Sequence, residues 1–273
     1  MATEVVYNNL MNAEHWQKVL SRLPLGDVHI CSRVGSTNQL AESMIASGAP
    51  DLTLVVADQQ TEGRGRAGRS WITRRGQGLA FSLVIYPRQE WRDILLGRLS
   101  GLGALAVAEV LQEGYGLPAR IKWPNDVLIR GRKICGVLVE IYWQGGEMKH
   151  GVLGIGVNVH PGSIPEKAAL RFPATCLAAE VGPGINRLEL LVSILQRVLE
   201  LLDIFSGQDF IRRWESHLAY RGQEVLLTRE GEEVDRGVVL GLSSLGELRL
   251  GEGGQAQRRY RTGEIQLRLV DRS

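Results

Sequence analysis

Cysteine is scarce in this chain, which has 273 residues but only Cys31, Cys135 and Cys176. Their odd number and wide spacing exclude a disulfide framework or a cysteine-based metal site, and we expect buried free thiols instead. The five histidines are equally scattered, so the sequence predicts no metal-ligand cluster.

The chain also lacks a strong charge imbalance and a long apolar run. A net charge of +2 is too small to predict a general nucleic-acid or membrane surface. No apolar stretch reaches the length of a membrane span, and the first residues do not form a secretory signal. We therefore expect a soluble cytoplasmic protein with a sizeable core, built as one large domain with room for a small companion.

What the sequence does contain is a dense run of glycine and arginine. Three glycines and three arginines fall within residues 63–69, which lie between two strand-like segments. Glycine lets a backbone fold closely over a ligand, and guanidinium groups complement phosphate or carboxylate oxygens. The run therefore predicts a loop that grips an anion.

Two other interpretations of this run are weaker. A flexible arginine–glycine tail or nucleic-acid arm is disfavoured because the run is short and flanked by strand-like segments. A P-loop is rejected because Arg69 stands where that motif needs lysine and no helical pattern follows Trp71.

Hydrophobic periodicity predicts an alternation of helices and strands up to about residue 220. Ser36 and Gln39 predict a capping box at the start of one helix. Further helices are predicted at 14–23, 91–113, 188–205 and 209–220, and strands at 52–57, 78–86, 120–123, 127–129, 133–142 and 151–159. From residue 221 onward, short strand-like runs separated by glycine-rich turns predict a small β-barrel.

The segment 151–159 has an unusual alternation, with Gly154, Gly156 and Asn158 on the face opposite its apolar residues. Glycine weakens a strand unless something must approach the backbone. A ligand floor and a bulge or tight strand crossing are equally good explanations of this segment alone. Gly136 in the preceding strand favours a shared, glycine-lined floor.

Taken together, these motifs resemble those of biotin protein ligases. Residues 63–71, 122–126, 133–140 and 154–158 are similar to the four signatures of that family and occur in the same order, and residues 36–38 match its upstream signature. The resemblance implies an α+β fold whose catalytic domain, like that of class II synthetases, has a mixed, mainly antiparallel sheet with helices on one side. It also implies an N-terminal segment at 1–30, a catalytic domain at 31–220 and a C-terminal SH3-like β-barrel at 221–273.

The resemblance further implies an activity and its partners. Biotin is activated with ATP and Mg²⁺ as biotinyl-5′-AMP, then transferred to a lysine of a biotin carboxyl carrier domain of a biotin-dependent carboxylase. The family also has homodimers. Because the chain begins about thirty residues before Thr37-Asn38, we expect no DNA-binding winged helix and no repressor activity.

By the same resemblance, Lys122 and Arg64 are the predicted catalytic residues. The predicted biotin-binding residues are Ser36, Thr37, Asn38, Gln60, Gly63, Arg64, Gly65, Arg66, Lys122, Gly136 and Leu138. The predicted ATP- or adenylate-binding residues are Arg66, Arg69, Trp71, Asn125, Asp126, Gly154, Gly156, Asn158 and Arg268. No protein ligand for a metal is predicted.

Two alternatives stay open at this point. A lipoate or octanoate ligase or transferase shares the fold and the acyl chemistry, although the arginine–glycine run and residues 122–126 favour biotin. A nucleic-acid-binding module that uses the arginines of this run would bind with steep salt dependence and turn over no nucleotide.

Overall fold

The computed structural model of the protein describes residues 11–91, 94–166, 172–229, 232–251, 257–261 and 265–270. Its helices are α1 (Ala13–Leu20), α2 (Thr37–Ala46), α3 (Leu95–Tyr115), α4 (Leu177–Val181), α5 (Arg187–Asp203) and α6 (Gln208–Ser216). None of the helices in these ranges is both long enough and apolar enough to cross a bilayer.

A seven-stranded sheet forms the centre of the larger part of the chain. Its strands are β1 (Val28–Cys31), β2 (Leu54–Ala57), β3 (Gly78–Ile85), β4 (Ala119–Lys122), β5 (Asp126–Ile129), β6 (Arg132–Gln144) and β7 (Glu147–Asn158). Their spatial order is β1-β2-β3-β7-β6-β5-β4. Only β1 and β2 are parallel among the described strands, so the predicted mixed, mainly antiparallel sheet is confirmed.

Helices α3 and α5 pack together against one face of this sheet and bury most of the core. The approach is close at Gly103 of α3, where an added Cβ would lie 3.1 Å from side-chain atoms of Leu153 and Ile155. The predicted alternation of β7 is therefore confirmed: Leu153 and Ile155 face α3, whereas Gly154 and Gly156 face the opposite side.

Helix α2 differs from the expectation that the helices share one side. It packs on β2, β3 and β7 from the other face, where Asn38 lies directly against Gly154. Glycine at this position leaves the space that the asparagine side chain occupies. The helix thereby forms one wall above the open face of the sheet.

The C-terminal part of the chain is a five-stranded antiparallel sheet. Its strands are β8 (Glu224–Arg229), β9 (Glu232–Leu242), β10 (Leu248–Gly251), β11 (Arg258–Tyr260) and β12 (Ile265–Leu269), in the order β11-β10-β9-β8-β12. Within the described residues β11 and β12 do not pair, so the sheet is open rather than a closed barrel. Residues 263–268, which contain the predicted nucleotide-binding Arg268, resemble a C-terminal motif of the family, and their first two residues lie outside the described residues. The domain bounds remain a prediction.

The turn between β9 and β10 joins the two sheets. Buried Arg98 of α3 donates to the carbonyls of Ser244 and Gly207, each at 3.0 Å, and also to Phe205 O. The indole N–H of Trp123 donates to Gly246 O at 3.0 Å. Because Trp123 follows Lys122 directly, these bonds fix the C-terminal sheet beside the end of β4.

Candidate functional site

Two adjoining cavities lie on the α2 side of the large sheet. The first has a volume of about 100 Å³ and the second about 360 Å³. The first is lined mainly by Ser36, Thr37, Asn38, Gln60, Arg64, Gly65, Arg66, Asn125, Gly136, Leu138, Gly154 and Gly156. The second is lined mainly by Gly68, Ile72, Lys122, Asp126, Asn158, Phe172, Leu267 and Arg268. Arg69, Ser70, Trp71 and Lys133 line both.

The arginine–glycine run folds into a hairpin, which we call the arginine–glycine hairpin (residues 63–71). Trp71 N donates to Gly63 O at 2.7 Å, and Gly65 N donates to Arg69 O at 2.6 Å. Ala67 and Gly68 at its tip both have positive φ, as a tight two-residue turn requires. The run is thus an ordered element that carries three arginines over the first cavity.

Gly63 serves the hairpin rather than the cavity. A Cβ at this position would lie 2.3 Å from Trp71 O and 2.9 Å from Gln60 Nε2. Gly63, which the resemblance assigns to biotin binding, does not line either cavity among the described residues. Its physical role is to let the two strands of the hairpin close.

The helix start at Ser36 differs from the predicted capping box, because Ser36 makes no side-chain cap bond. Instead, Gln60 from a neighbouring segment accepts from Thr37 N at 2.8 Å and lies 3.1 Å from Thr37 Oγ1. Its amide Nε2 donates to Thr73 Oγ1 at 3.1 Å. The result is an uncharged, hydrogen-bonding end to the first cavity, where Ser36 has no cap partner.

The glycines of the sheet face make room for side chains of this chain. A Cβ on Gly156 would lie 2.3 Å from Cε2 of Trp71, and one on Gly154 would lie 2.1 Å from Oδ1 of Asn38. A Cβ on Gly136 would lie 3.1 Å from Lys133 Nζ. The glycines predicted that something approaches the strand backbone closely, and this is confirmed. The groups that approach it are the side chains of Trp71, Asn38 and Lys133.

Lys133 is the residue that sequence reasoning missed. Its Nζ lies 2.6 Å from Asp126 Oδ1 and 5.5 Å from the centre of the Trp71 ring. It lines both cavities, whereas the predicted catalytic Lys122 lines only the second. Lys133 is the first residue of the signature at 133–140, and that signature is the sequence feature that could have indicated its place in the site.

Lys122 lies at the end of β4, with its Nζ 4.0 Å from the centre of the Phe172 ring. Burial lowers the pKa of Lys122, although the nearby Asp126 carboxylate opposes that shift. Lys133, Arg268 and Arg69 lower its pKa further. Among the described residues that line the second cavity, four side chains are thus cationic and Asp126 is the one carboxylate.

Two asparagines of the predicted nucleotide site hold backbone and hairpin in place. Asn125 donates to Val137 O at 2.7 Å and accepts from Arg66 Nη1 at 3.1 Å. Burial lowers the pKa of Arg66, and Asp126 partly offsets this. Asn158 is buried in the second cavity and donates to Thr175 O at 3.1 Å.

The structure brings together nine of the eleven residues predicted for biotin, all lining the first cavity; Gly63 and Lys122 are the exceptions. The residues predicted for the nucleotide divide between the cavities. Arg66, Asn125, Gly154 and Gly156 line the first, Asp126, Asn158 and Arg268 line the second, and Arg69 and Trp71 line both. Their assigned roles stay predictions.

The described residues contain no group of three or more histidine, cysteine or acidic side chains that could hold a metal ion. Asp126, the carboxylate of the second cavity, is already paired with Lys133. This donor set does not fit a resident metal held by the protein alone.

Comparison with known proteins agrees with this arrangement. Residues 30–158 match the biotin/lipoate A/B protein ligase family, and residues 221–268 match the biotin protein ligase C-terminal domain. The solved structure of biotin protein ligase from Aquifex aeolicus in complex with biotin and ATP is similar, with a TM-score of 0.75 and 32% identity. The match covers 89% of this chain and 99% of that one.

Curated relatives point the same way. The biotin–[acetyl-CoA-carboxylase] ligase of Paracoccus denitrificans is 32% identical over 226 residues, which cover 80% of this chain and 91% of that protein. The bifunctional ligase/repressor BirA of Bacillus subtilis is 38% identical over 171 residues, which cover 61% of this chain. That match spans about half (49%) of the Bacillus protein's own length.

Proposed function

The chain belongs to the biotin/lipoate A/B protein ligase family, and on that premise we propose that it is an ATP-dependent biotin protein ligase. It activates biotin as biotinyl-5′-AMP and transfers it to a lysine of a biotin carboxyl carrier domain. The observation that carries this proposal is the pair of adjoining cavities, one with an uncharged, hydrogen-bonding end and one cationic. They meet at Arg69, Ser70, Trp71 and Lys133.

The first cavity suits biotin. The ureido ring of biotin is neutral, with two N–H donors and one carbonyl acceptor, so it needs hydrogen-bonding groups without charge. Ser36, Thr37 and Gln60 supply hydroxyl and amide groups of that kind. The valerate carboxylate would then extend toward the cationic boundary between the cavities.

The second cavity suits a triphosphate. Arg69, Lys122, Lys133 and Arg268 bring four positive charges to its walls, while Asp126 brings one negative charge. Arginine and lysine are the side chains that neutralise phosphate oxygens most effectively. Trp71 offers an aromatic surface to a nucleobase at the boundary. Mg²⁺, when bound to ATP, supplies further neutralisation of the phosphates.

The reaction requires two anions to meet. The biotin carboxylate oxygen attacks the α-phosphorus of ATP, the bond to the bridging oxygen breaks, and pyrophosphate leaves with its electron pair. Positive charge placed where negative charge develops stabilises such a transition state. Lys133 is the best-placed group for this role, because it lines both cavities and lies at their boundary.

We assign Lys122 a role that differs from the one predicted from sequence, which itself stays a prediction. Since it lines only the second cavity, we assign it to the polyphosphate rather than to the biotin carboxylate. The guanidinium of Arg64, the other predicted catalytic residue, is paired with Glu140, and its catalytic role stays a prediction. Arg66, held by Asn125, and Arg69 are hairpin arginines that also bring positive charge to the first cavity.

The second half-reaction transfers biotin to protein. The ε-amine of the acceptor lysine attacks the carbonyl carbon of the mixed anhydride, an amide bond forms, and AMP leaves. The arginine–glycine hairpin covers the first cavity, and its closure would keep water from the reactive anhydride. Homodimer formation and the absence of operator binding remain predictions, testable by light scattering and gel shift.

Intact-mass measurement tests the proposed function. Purified protein is incubated with biotin, ATP, Mg²⁺ and a biotin carboxyl carrier domain, with a carrier whose acceptor lysine is replaced by arginine as the control. We expect one added biotinyl group on the carrier and none on the control. An unmodified carrier in the presence of all three reagents would overturn the proposal, and a preference for lipoate would move the chain to the lipoate branch of the family.

A further inference from the structure

Glu140 of β6 makes two polar contacts at the edge of the first cavity, and nothing in the proposed chemistry uses it. Its carboxylate accepts from Asn38 Nδ2 at 2.7 Å. It also contacts Arg64 Nη2 at 3.2 Å and 3.3 Å through its two oxygens. One carboxylate therefore joins strand β6, helix α2 and the arginine–glycine hairpin.

The inner end of this connection is rigid. Asn38 is 4% exposed, and its Oδ1 accepts from Ser82 Oγ at 2.6 Å. Gly154 backs the same amide so closely that an added Cβ would lie 2.1 Å from Oδ1. Because both ends of the amide are bonded and its side is packed, Asn38 holds the Glu140 carboxylate in one position.

The outer end of the connection is the hairpin itself. Arg64 pairs with Ser70 across the hairpin, so a contact to Arg64 acts on both of its strands. The Arg64 side chain is 39% exposed and that of Glu140 is 25% exposed. A chain of polar contacts thus runs from the buried sheet, through Asn38 and Glu140, to a half-exposed arginine on the hairpin.

The Glu140–Arg64 ion pair also affects the charge of the site. A bare carboxylate at the mouth of a site for two anions would repel them, and Arg64 neutralises it. Among the described residues, the positive charges left for ligands at the two cavities are those of Arg66, Arg69, Lys122 and Arg268, together with that of Lys133, which Asp126 partly offsets at 2.6 Å. The Glu140–Arg64 pair therefore fixes the hairpin without adding net charge to the site.

We propose that Glu140 is a positioning residue that holds the arginine–glycine hairpin over the first cavity through Arg64. This inference rests on the proposed function for its consequence, which is retention of biotin and its adenylate. The structural part of the proposal, that Glu140 positions the hairpin, does not depend on which acid the cavity binds. The two parts can therefore be tested separately.

The structural part is tested by trypsin cleavage of the ligand-free protein after the arginines of the hairpin. Glu140→Gln keeps an oxygen for Asn38 but removes the charge that holds Arg64. The matched control is Glu147→Gln, which removes the same charge from the far end of the β6–β7 hairpin, where Glu147 pairs with Lys149 at 3.0 Å. A partly exposed ion pair typically changes such an equilibrium by about two- to fivefold, so we expect cleavage faster by that factor in Glu140→Gln alone.

The functional part is tested by the release rates of biotin and biotinyl-5′-AMP. We expect release about two- to fivefold faster in Glu140→Gln, with a smaller change in the rate of adenylate formation. Equal cleavage and equal release in Glu140→Gln and Glu147→Gln would overturn the proposal. Faster cleavage in a protein whose wild type forms no biotinyl-5′-AMP would refute the proposed function and leave the hold on the hairpin standing.

A double-mutant cycle tests whether Glu140 acts on the hairpin through Arg64. Arg64→Gln alone, Glu140→Gln alone and the double variant should accelerate cleavage after Arg66 and Arg69 to the same extent, because each removes the same contact. Additive effects would show that Glu140 does not act through Arg64. Arg64→Gln leaves the sheet untouched, so the cycle also gives a result if Glu140→Gln lowers the melting temperature.

Discussion

The proposed exchange of roles between Lys133 and Lys122 gives the sharpest prediction about the chemistry. Replacing either lysine with glutamine removes one positive charge and keeps a polar side chain. Two unit charges about 4 Å apart interact by about 4 kcal/mol at an effective dielectric constant of ~20. For Lys133, Asp126 at 2.6 Å cancels part of this, so we expect a loss of about 3 kcal/mol in the transition state, or about 100-fold in the rate of adenylate formation.

Lys122→Gln should behave differently, because Lys122 lines only the second cavity. We expect about a tenfold higher KM for ATP with a smaller loss in kcat, as removal of ground-state binding produces. The assay is biotin-dependent release of pyrophosphate in single turnovers, with thermal melting as a check of folding. Lys149→Gln, far along the β6–β7 hairpin and paired with Glu147, is the matched control. A larger rate loss in Lys122→Gln than in Lys133→Gln would refute this assignment.

Three further predictions concern the framework. Arg98→Met leaves three main-chain carbonyls without their buried cationic donor and should lower the urea unfolding free energy by about 3 kcal/mol, whereas Arg120→Met on the surface should change it little. Gly156→Ala forces Trp71 to move and should reduce kcat/KM about tenfold without unfolding the sheet; unchanged kinetics would show that Trp71 has no role. Burial and nearby Arg187 lower the pKa of His160, so the unfolded chain takes up its proton first and stability falls as pH drops below about 6.5. His160→Asn should flatten that fall in denaturant titrations between about pH 7 and 5, and an unchanged slope would contradict the cause given.

Much of the fold followed from periodicity. The helix predicted at 188–205 is α5 (Arg187–Asp203), and the strand predicted at 151–159 lies within and beside β7 (Glu147–Asn158). Both are long and strongly patterned, which is where pattern arguments work best. The opposite placement of α2 could not be foreseen, because it depends on the fit of Asn38 against Gly154 in three dimensions.

The position of Lys133 shows why the site was harder to predict than the sheet. A bulge between Val127 and Leu128 shifts the register of β5 against β6, so that Lys133 lies opposite Leu128. A one-residue slip changes which side chains reach a given face, and a hydrophobic pattern does not reveal it. Lys122 was the lysine predicted for the site because a proline and two polar residues follow it closely in the sequence.

Two buried contacts between the large sheet's surroundings and the C-terminal sheet were also not predicted from the sequence. A guanidinium is rarely buried, so Arg98 in α3 gave no sign that it would donate to three carbonyls in two separate segments. The Trp123 bond to Gly246 was equally invisible, since it joins residues that are 123 positions apart. Both contacts hold the C-terminal sheet beside the second cavity, and neither is made by a charged residue of the recognised motifs.

The central claim is that this chain joins the carboxylate of biotin to the α-phosphate of ATP at the boundary between two cavities. Exchange of labelled pyrophosphate into ATP measures that step directly, without a carrier domain. We predict exchange that requires biotin and Mg²⁺, that lipoate does not support and that Lys133→Gln nearly abolishes. Exchange that is absent with biotin, or stronger with lipoate, would contradict the account.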